Sequence, residues 1–310
     1  MKKVLVLGSL NMDLVTNVKV TPKVGETILG RGFSEIPGGK GANQAVAMGR
    51  LGGQVSMLGR VGDDNFGTDL LEALTKSGVK SDNVKKVSGS PTGTALIMVN
   101  DDGDNSIVVI PGANFKLTPD CIESKEVDKA LKEADYLVAQ LETPMETIEL
   151  AFDKAKKMGL KTVLNPAPAQ ALSKSLISNV DLLIPNETEF ELLTGHSAET
   201  KEGLQAGADL LFDQGISALI ITLGKKGALY IDKDHKNFHV SGYKVEAVDT
   251  TAAGDSFIGG LVTALSEGAS MEDAMAFAMK VGAVTVTKHG AQSSLPSRKE
   301  IESFKGVKRK

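Results

Sequence analysis

At 310 residues, with 41% apolar and 24% charged side chains, the chain has material for one large core or two small ones and the composition of an ordinary globular protein. A formal net charge of −4, with a single dense basic cluster in the closing KGVKRK, speaks against a nucleic-acid partner, and that tail reads as a solvated end. One cysteine, Cys121, excludes an intramolecular disulfide and a thiolate metal site, and an isolated thiol is as a rule an inert residue.

The opening MKKVLVLGSLNMD places two lysines before an apolar run. The run is too short for a signal peptide, and Asn11 and Asp13 interrupt it. No later stretch reaches spanning length without a charge or glycine break, so the expectation is a cytoplasmic protein with no membrane partner. KKVLVLG, closed by glycine, reads as a buried strand. TNVKVT and ETILGRGFSEI, residues 16–21 and 26–36, alternate as half-exposed strands do. GANQAVAMGRLG predicts a helix stopped by glycine, QVSMLGRVG a strand, and GTDLLEALTKSGV a second helix. Residues 91–112 return to strands without a helix between them, turning at NDDGDN. Segments 14–36 and 91–112 together predict a small sheet projecting from a single domain over 1–310. Such a sheet can cover a site or pair with another chain through its open face. Beyond residue 115 strands are expected at 136–141, 161–166, 180–186 and 218–224, with helices between. The pattern is a three-layer α/β/α fold with a mostly parallel central sheet and a small β-sheet lid. Neither an internal repeat nor a low-complexity linker breaks it.

Ligands of open α/β sheets gather at the C-terminal ends of the strands, which singles out Asp13, Glu142, Asn165, Asn186, Glu189 and Thr222. Three stretches carry chemistry. In PGGKGANQAVAMGRLG, residues 37–52, Gly38, Gly39 and Gly41 let the backbone approach a ligand and take positive φ, with Lys40 and Asn43 as donors at a helix start. The plainer alternative is a tight surface turn. The spacing is not that of a Walker phosphate loop, and GSLNMD, with Gly8 alone, lacks the dinucleotide pattern. In PNETE, residues 185–189, Asn186 and Glu189 share one face of a starting helix. An amide and a carboxylate there suit Mg²⁺, and equally a plain helix cap. In VEAVDTTAAGDSFIGGLVTAL, residues 245–265, Gly254 and the alanines before it leave amides uncovered at a helix N-terminus, a ready anion site. Asp255 beside them suits a base for a hydroxyl attacking phosphorus. The structural alternative is Asp249 or Thr250 capping the turn. His196, His235, His239 and His289 show no metal-ligand spacing.

GGKGANQA and DTTAAGDSF resemble the two signatures of the ribokinase-like sugar kinases, the pfkB carbohydrate kinases, and the resemblance runs over essentially the whole chain. The Ala252–Ala253 pair stands where many relatives carry Gly-Ala, and the first loop differs from its fructokinase, adenosine kinase and phosphofructokinase versions. The resemblance implies ATP-dependent phosphorylation of D-ribose at O5 to D-ribose 5-phosphate. The alternatives are a related sugar or nucleoside kinase, for deoxyribose for example, or a non-catalytic sugar-binding regulator. It implies that Asn11, Met12, Asp13, Gly39, Lys40, Gly41, Ala42, Asn43 and Glu142 hold the sugar. Thr222, Leu223, Gly224, Lys225, Lys226 and Gly227 line the ATP site with Asn186, Gly254 and Asp255, and Met279 lies near the adenine. Ala252, Ala253 and Gly254 form the anion hole, Asp255 is the base, and Asn186 and Glu189 act near Mg²⁺. It also implies a K⁺ site from Asp249, Thr251, Ser294 and carbonyls of Thr285, Lys288 and Gly290. Ser293 stands where relatives often carry proline, and His289 where a basic residue is common; neither change removes a ligand. A homodimer through the lid sheet completes the expectation.

Overall fold

Runs that are apolar at every position, such as YLVA at 136–139, bury both faces of a strand, which a parallel sheet covered by helices on both sides requires. The computed structural model, which describes residues 1–309, contains such a sheet. The chain runs β1 (Lys3–Leu7), β2 (Asn11–Asn17), β3 (Gly32–Gly38), α1 (Lys40–Arg50), β4 (Gln54–Gly62), α2 (Asn65–Lys76), β5 (Lys80–Val87), β6 (Gly93–Val99) and β7 (Asn105–Ile110). It continues through α3 (Pro119–Ile122), α4 (Lys125–Glu133), β8 (Tyr136–Ala139), α5 (Met145–Lys157), β9 (Lys161–Leu164), α6 (Lys174–Ile177), β10 (Leu182–Leu183), α7 (Glu187–Thr194) and α8 (Lys201–Asp213). It ends with β11 (Ala218–Thr222), β12 (Gly227–Asp232), β13 (Asn237–Ser241), β14 (Tyr243–Lys244), α9 (Ala253–Ser266), α10 (Met271–Thr285), α11 (Arg298–Ser303) and β15 (Val307–Lys308).

The large sheet has the order β13-β12-β11-β10-β9-β8-β1-β4-β5. It is parallel from β11 to β5, and β12 and β13 add an antiparallel hairpin at one edge. Alternation along β1 feeds two cores. Val4 and Val6 pack with α1, α2, α9 and α10, while Leu5 and Leu7 pack with α3 to α8 on the other face. This is the expected three-layer arrangement. Among the described residues no helix is long and apolar enough to cross a membrane.

The small sheet has the order β3-β2-β6-β7, with β2 and β6 parallel and both outer pairs antiparallel. β2 starts earlier, and β3 later, than their alternation suggested. Residues 18–31 form no strand, because the alternating stretch after Pro22 and the turn at Gly25 (φ 82°) finds no neighbour to pair with. β10 is also shorter than 180–186: Pro185 has no N–H to give the ladder, and only an isolated bridge from Asn186 to Thr222 follows. The KGVKRK end is not wholly a solvated tail. β15 pairs with β14, and Arg309 N donates to Gly242 O at 2.7 Å.

Candidate active site

The glycines of the first loop let α1 sit directly on the turn between β1 and β2. A Cβ on Gly41 would overlap the Gly8 and Ser9 backbone, and one on Gly38 would overlap the Asp13 carboxylate. Only Gly39, which precedes the helix, takes positive φ, at 86°. The other two are glycines for close approach within the protein, a correction to the expectation of three left-handed positions. Glu142, just after β8, caps this helix start. Its Oε2 accepts the Ser9 hydroxyl at 2.5 Å and the Lys40 amide at 3.1 Å, and Ala42 N donates to Ser9 O at 2.9 Å.

Across from it, α9 begins after Ala252, which holds the left-handed φ of 58° without being glycine. Asp255, in its first turn, is 7% exposed. Asn43 Nδ2 donates to Oδ2 and Gln44 Nε2 to Oδ1 of that carboxylate, both at 3.0 Å. Gln44 Nε2 also reaches Asn165 Oδ1 at 3.3 Å, Asn165 donates to Ile184 O at 3.1 Å, and Gln140 Nε2 donates to Gln44 Oε1 at 2.6 Å. A Cβ on Gly254 would meet no protein atom within 4 Å, so packing does not demand glycine there. Of the expected anion-hole amides, that of Ala253 already donates to Thr250 O at 3.2 Å. Gly254 and Asp255 open onto a cavity of about 210 Å³, with Lys40, Asn165, Asn186, Glu189 and Thr222 among its walls. A larger groove of about 660 Å³ lies at the other end of the sheet, between α4 and the starts of β4 and β5. Exposed Lys3, Lys80 and Asp82 line it without converging on a buried polar group, so the chemistry belongs to the smaller cavity.

Four carboxylates surround one ammonium here. Burial, then the nearby Glu142 and Asp255, push Asp13 up to about 7, against the pull of Lys40. Burial lowers the Lys40 pKa, but Asp255, Glu142, Glu189 and Asp13 more than offset it and hold the ammonium above its ordinary value. Burial also raises Glu189, against its bond from the Asn186 amide and the Lys40 charge.

Asn186 and Glu189 form a capping box at the start of α7: Glu189 N donates to Asn186 Oδ1 at 2.7 Å, and Asn186 N to Glu189 Oε2 at 2.9 Å. The helix-cap reading is therefore realised, and Glu189 still reaches the cavity. The loop of Asp249 meets that of Gly290. The Asp249 carboxylate accepts the Thr251 and Gly290 amides, each at 2.8 Å, and these bonds with the His289 charge outweigh burial to hold it below its ordinary value. Thr285 O accepts from Lys288 N at 3.1 Å and Ser294 Oγ donates to Ala291 O at 2.8 Å. From the far end of α1, Arg50 Nη1 donates to Gln292 O and Leu295 O at 2.6 and 2.8 Å, tying this loop to the helix that carries Asn43.

Several expected residues do not wall this cavity. Strand alternation turns Met12 away from Asn11 and Asp13 into the core, at 2% exposure, and Ala42 is likewise core. Met279 packs against the α9–α10 core and does not wall the cavity. Lys225 and Lys226 are exposed in a short turn, where Lys226 pairs with Glu187 at 3.4 Å, and Gly227 is glycine because a Cβ would meet Val240 O. Sequence reasoning missed Ser9, Gln44, Arg50, Asn114 and Gln140. Gln44 lies inside the quoted helix one residue after Asn43, and that adjacency was the one local signal available.

A buried carboxylate beside a helix N-terminus, at the C-terminal edge of a parallel sheet, suits phosphoryl transfer to a small molecule, the chemistry of an α/β kinase. The family model described as pfkB family carbohydrate kinase matches residues 1–298, and the chain belongs to that family. It is 44% identical over 303 residues to the ribokinase of Haemophilus influenzae, covering 98% of each chain. It is also 41% identical over 300 residues to the deoxyribokinase of Salmonella typhi, covering 96% of this chain and 97% of that one. Among solved structures, Arabidopsis thaliana ribokinase complexed with ribose and ATP superposes with a TM-score of 0.92 at 33% identity, over 98% of this chain and 99% of that one.

Proposed function

We propose that this sugar kinase transfers the γ-phosphoryl group of ATP to O5 of D-ribose, giving D-ribose 5-phosphate and ADP. The observation that carries the reading is the Asp255 carboxylate, buried and clamped by Asn43 and Gln44 where the α9 N-terminus opens on the cavity. The ribokinase names of its full-length relatives, and the ribose and ATP of the Arabidopsis complex, support the acceptor and the donor.

ATP supplies the phosphoryl group; the chain supplies position and charge, which account for most of the catalysis in such transfers. Asp255 aligns the acceptor hydroxyl and takes its proton. The amides of Gly254 and Asp255, with the α9 dipole, face the transferring phosphoryl oxygens. Lys40 adds a cation at the same mouth. Asn11, Asp13 and Asn43 hold sugar hydroxyls, and the Asn43 Oδ1, buried and without a partner among the described residues, is an acceptor for one of them. The small sheet acts as a lid, keeping water from competing for the phosphoryl group.

Glu189 and Asn186, a carboxylate and an amide on the cavity wall, would suit Mg²⁺ carried with the nucleotide, which would offset charge on its phosphates. The oxygens around Asp249 suit a K⁺ that would brace the loop ahead of α9. Deoxyribose is the second acceptor to weigh, on the strength of the Salmonella relative.

The deciding experiment is a coupled ADP-release assay over ribose, deoxyribose, fructose and nucleosides, with and without K⁺. Ribose should give the highest kcat/KM, and K⁺ should raise the rate. A higher kcat/KM with deoxyribose would reassign the acceptor, and no turnover with any of them would favour a sugar-binding regulator.

A further inference from the structure

Gln44 is fully buried and contacts the reactive carboxylate, yet the roles above leave its side chain unexplained. A carboxylate only accepts, so the amide nitrogen of Gln44 must face Asp255. Its oxygen then faces away, and the neighbouring Gln140 must turn its own nitrogen toward it, at 2.6 Å. This leaves Gln140 Oε1 buried with no partner among the described residues, pressed where a Cβ on Gly8 would stand. An unpaired buried oxygen destabilises a fold, and an apolar side chain would avoid that. The orientation of the whole amide chain follows from the charge at its end.

The two oxygens of Asp255 are also held differently. Oδ2 is held by Asn43, the residue assigned to the sugar, and Oδ1 by Gln44, whose other partners are Asn165 and Gln140. Those partners stand on the ends of β9 and β8, so the bonds tie α9 to the central sheet through α1. We propose that Gln44, oriented by Gln140, is a positioning residue that fixes the rotamer of Asp255 from the side remote from substrate. The proposal rests on the reading of Asp255 as the base.

The test compares Asp255→Ala, Gln44→Met, Gln140→Met and the Gln44→Met/Asp255→Ala double variant, with ribose and ATP, after thermal melting has confirmed folding. Gln44→Met keeps the shape and removes the donor. Its kcat should fall about 10–100-fold, the scale of a misplaced catalytic group, with KM for both substrates within about threefold. Gln140→Met should lower kcat in the same direction by less. In the Asp255→Ala background Gln44→Met should add no further loss, since its effect passes through that carboxylate. Wild-type kcat in Gln44→Met, a rise in ribose KM alone, or an undiminished loss in the Asp255→Ala background would each overturn the proposal. If Gln44→Met does not fold, Gln140→Met decides: a kcat loss at constant KM supports the proposal, and none overturns it. Near-normal kcat in Asp255→Ala would instead remove the base reading itself, an outcome distinct from failure at Gln44.

Discussion

Asn114 Nδ2 donates to Asn11 Oδ1 at 2.7 Å, and that bond decides which atom Asn11 leaves free for the sugar proposed above. With its oxygen engaged, Asn11 offers its N–H groups. Asn114 follows the last lid strand and also brackets Leu10, accepting from its N at 2.9 Å and donating to its O at 3.1 Å. Asn114→Asp keeps an acceptor for Leu10 N but removes both donors. We expect ribose KM to rise about tenfold, roughly one hydrogen bond of about 1.4 kcal/mol, with a smaller change in kcat. An unchanged KM would mean that Asn11 does not act on the sugar through this face.

The raised Asp13 gives the enzyme a pH signature. Its proton is held up to about 7 in the folded chain against an ordinary 3.8, so on this group's account stability declines as pH rises through that interval. Activity runs the other way, because the ionised carboxylate is the better acceptor for sugar hydroxyls. kcat/KM for ribose should climb as pH rises through the Asp13 pKa of about 7, and Asp13→Asn should lose that limb. A wild-type profile that stays flat across it would contradict the assignment.

What the sequence showed and hid follows from range. β4 was legible to its last residue because its ends are marked by glycines and its interior by alternation. Glu142 and Glu189 were legible from their places after strands, and Asp255 from the bare loop ahead of its helix. The amides that orient them were not: Gln44 meets Asp255 across 211 residues and Gln140 across 96, and no local pattern encodes such pairs. The glycines of the first loop were seen but given the wrong reason at two positions, since close approach to Ser9 and to Asp13 is invisible without the fold. Asn186 and Glu189 supported two readings for a physical cause, because one pair of side chains both caps α7 and walls the cavity.

Gly254 separates packing from chemistry. Since a side chain there meets nothing, Gly254→Val should leave the melting temperature unchanged. It would fill the space ahead of the α9 amides, and kcat should fall about 10²–10³-fold, the scale of one lost oxyanion donor. Wild-type turnover in this variant would show that phosphate reacts elsewhere.

The lid has two distinct faces. Register places Asn11, Asp13, Ala95 and Val109 on one face, and Phe33, Leu14, Leu96 and Val108 on the other. The second carries Phe33 at 64%, Leu96 at 46% and Val108 at 58% exposure, and the first Val109 at 49%, apolar surface on the sheet that a second copy of the chain would cover. We expect a dimer by sedimentation at micromolar concentration and a monomer for Val108→Asp. A monomeric wild type would refute this.

The measurement closest to the central claim is the single-turnover and steady-state rate of Asp255→Ala with ribose and ATP. The role of Asp255 as base predicts a loss of about 10²–10⁴ in kcat with the substrates still bound. A variant that phosphorylates ribose at near the wild-type rate would contradict it.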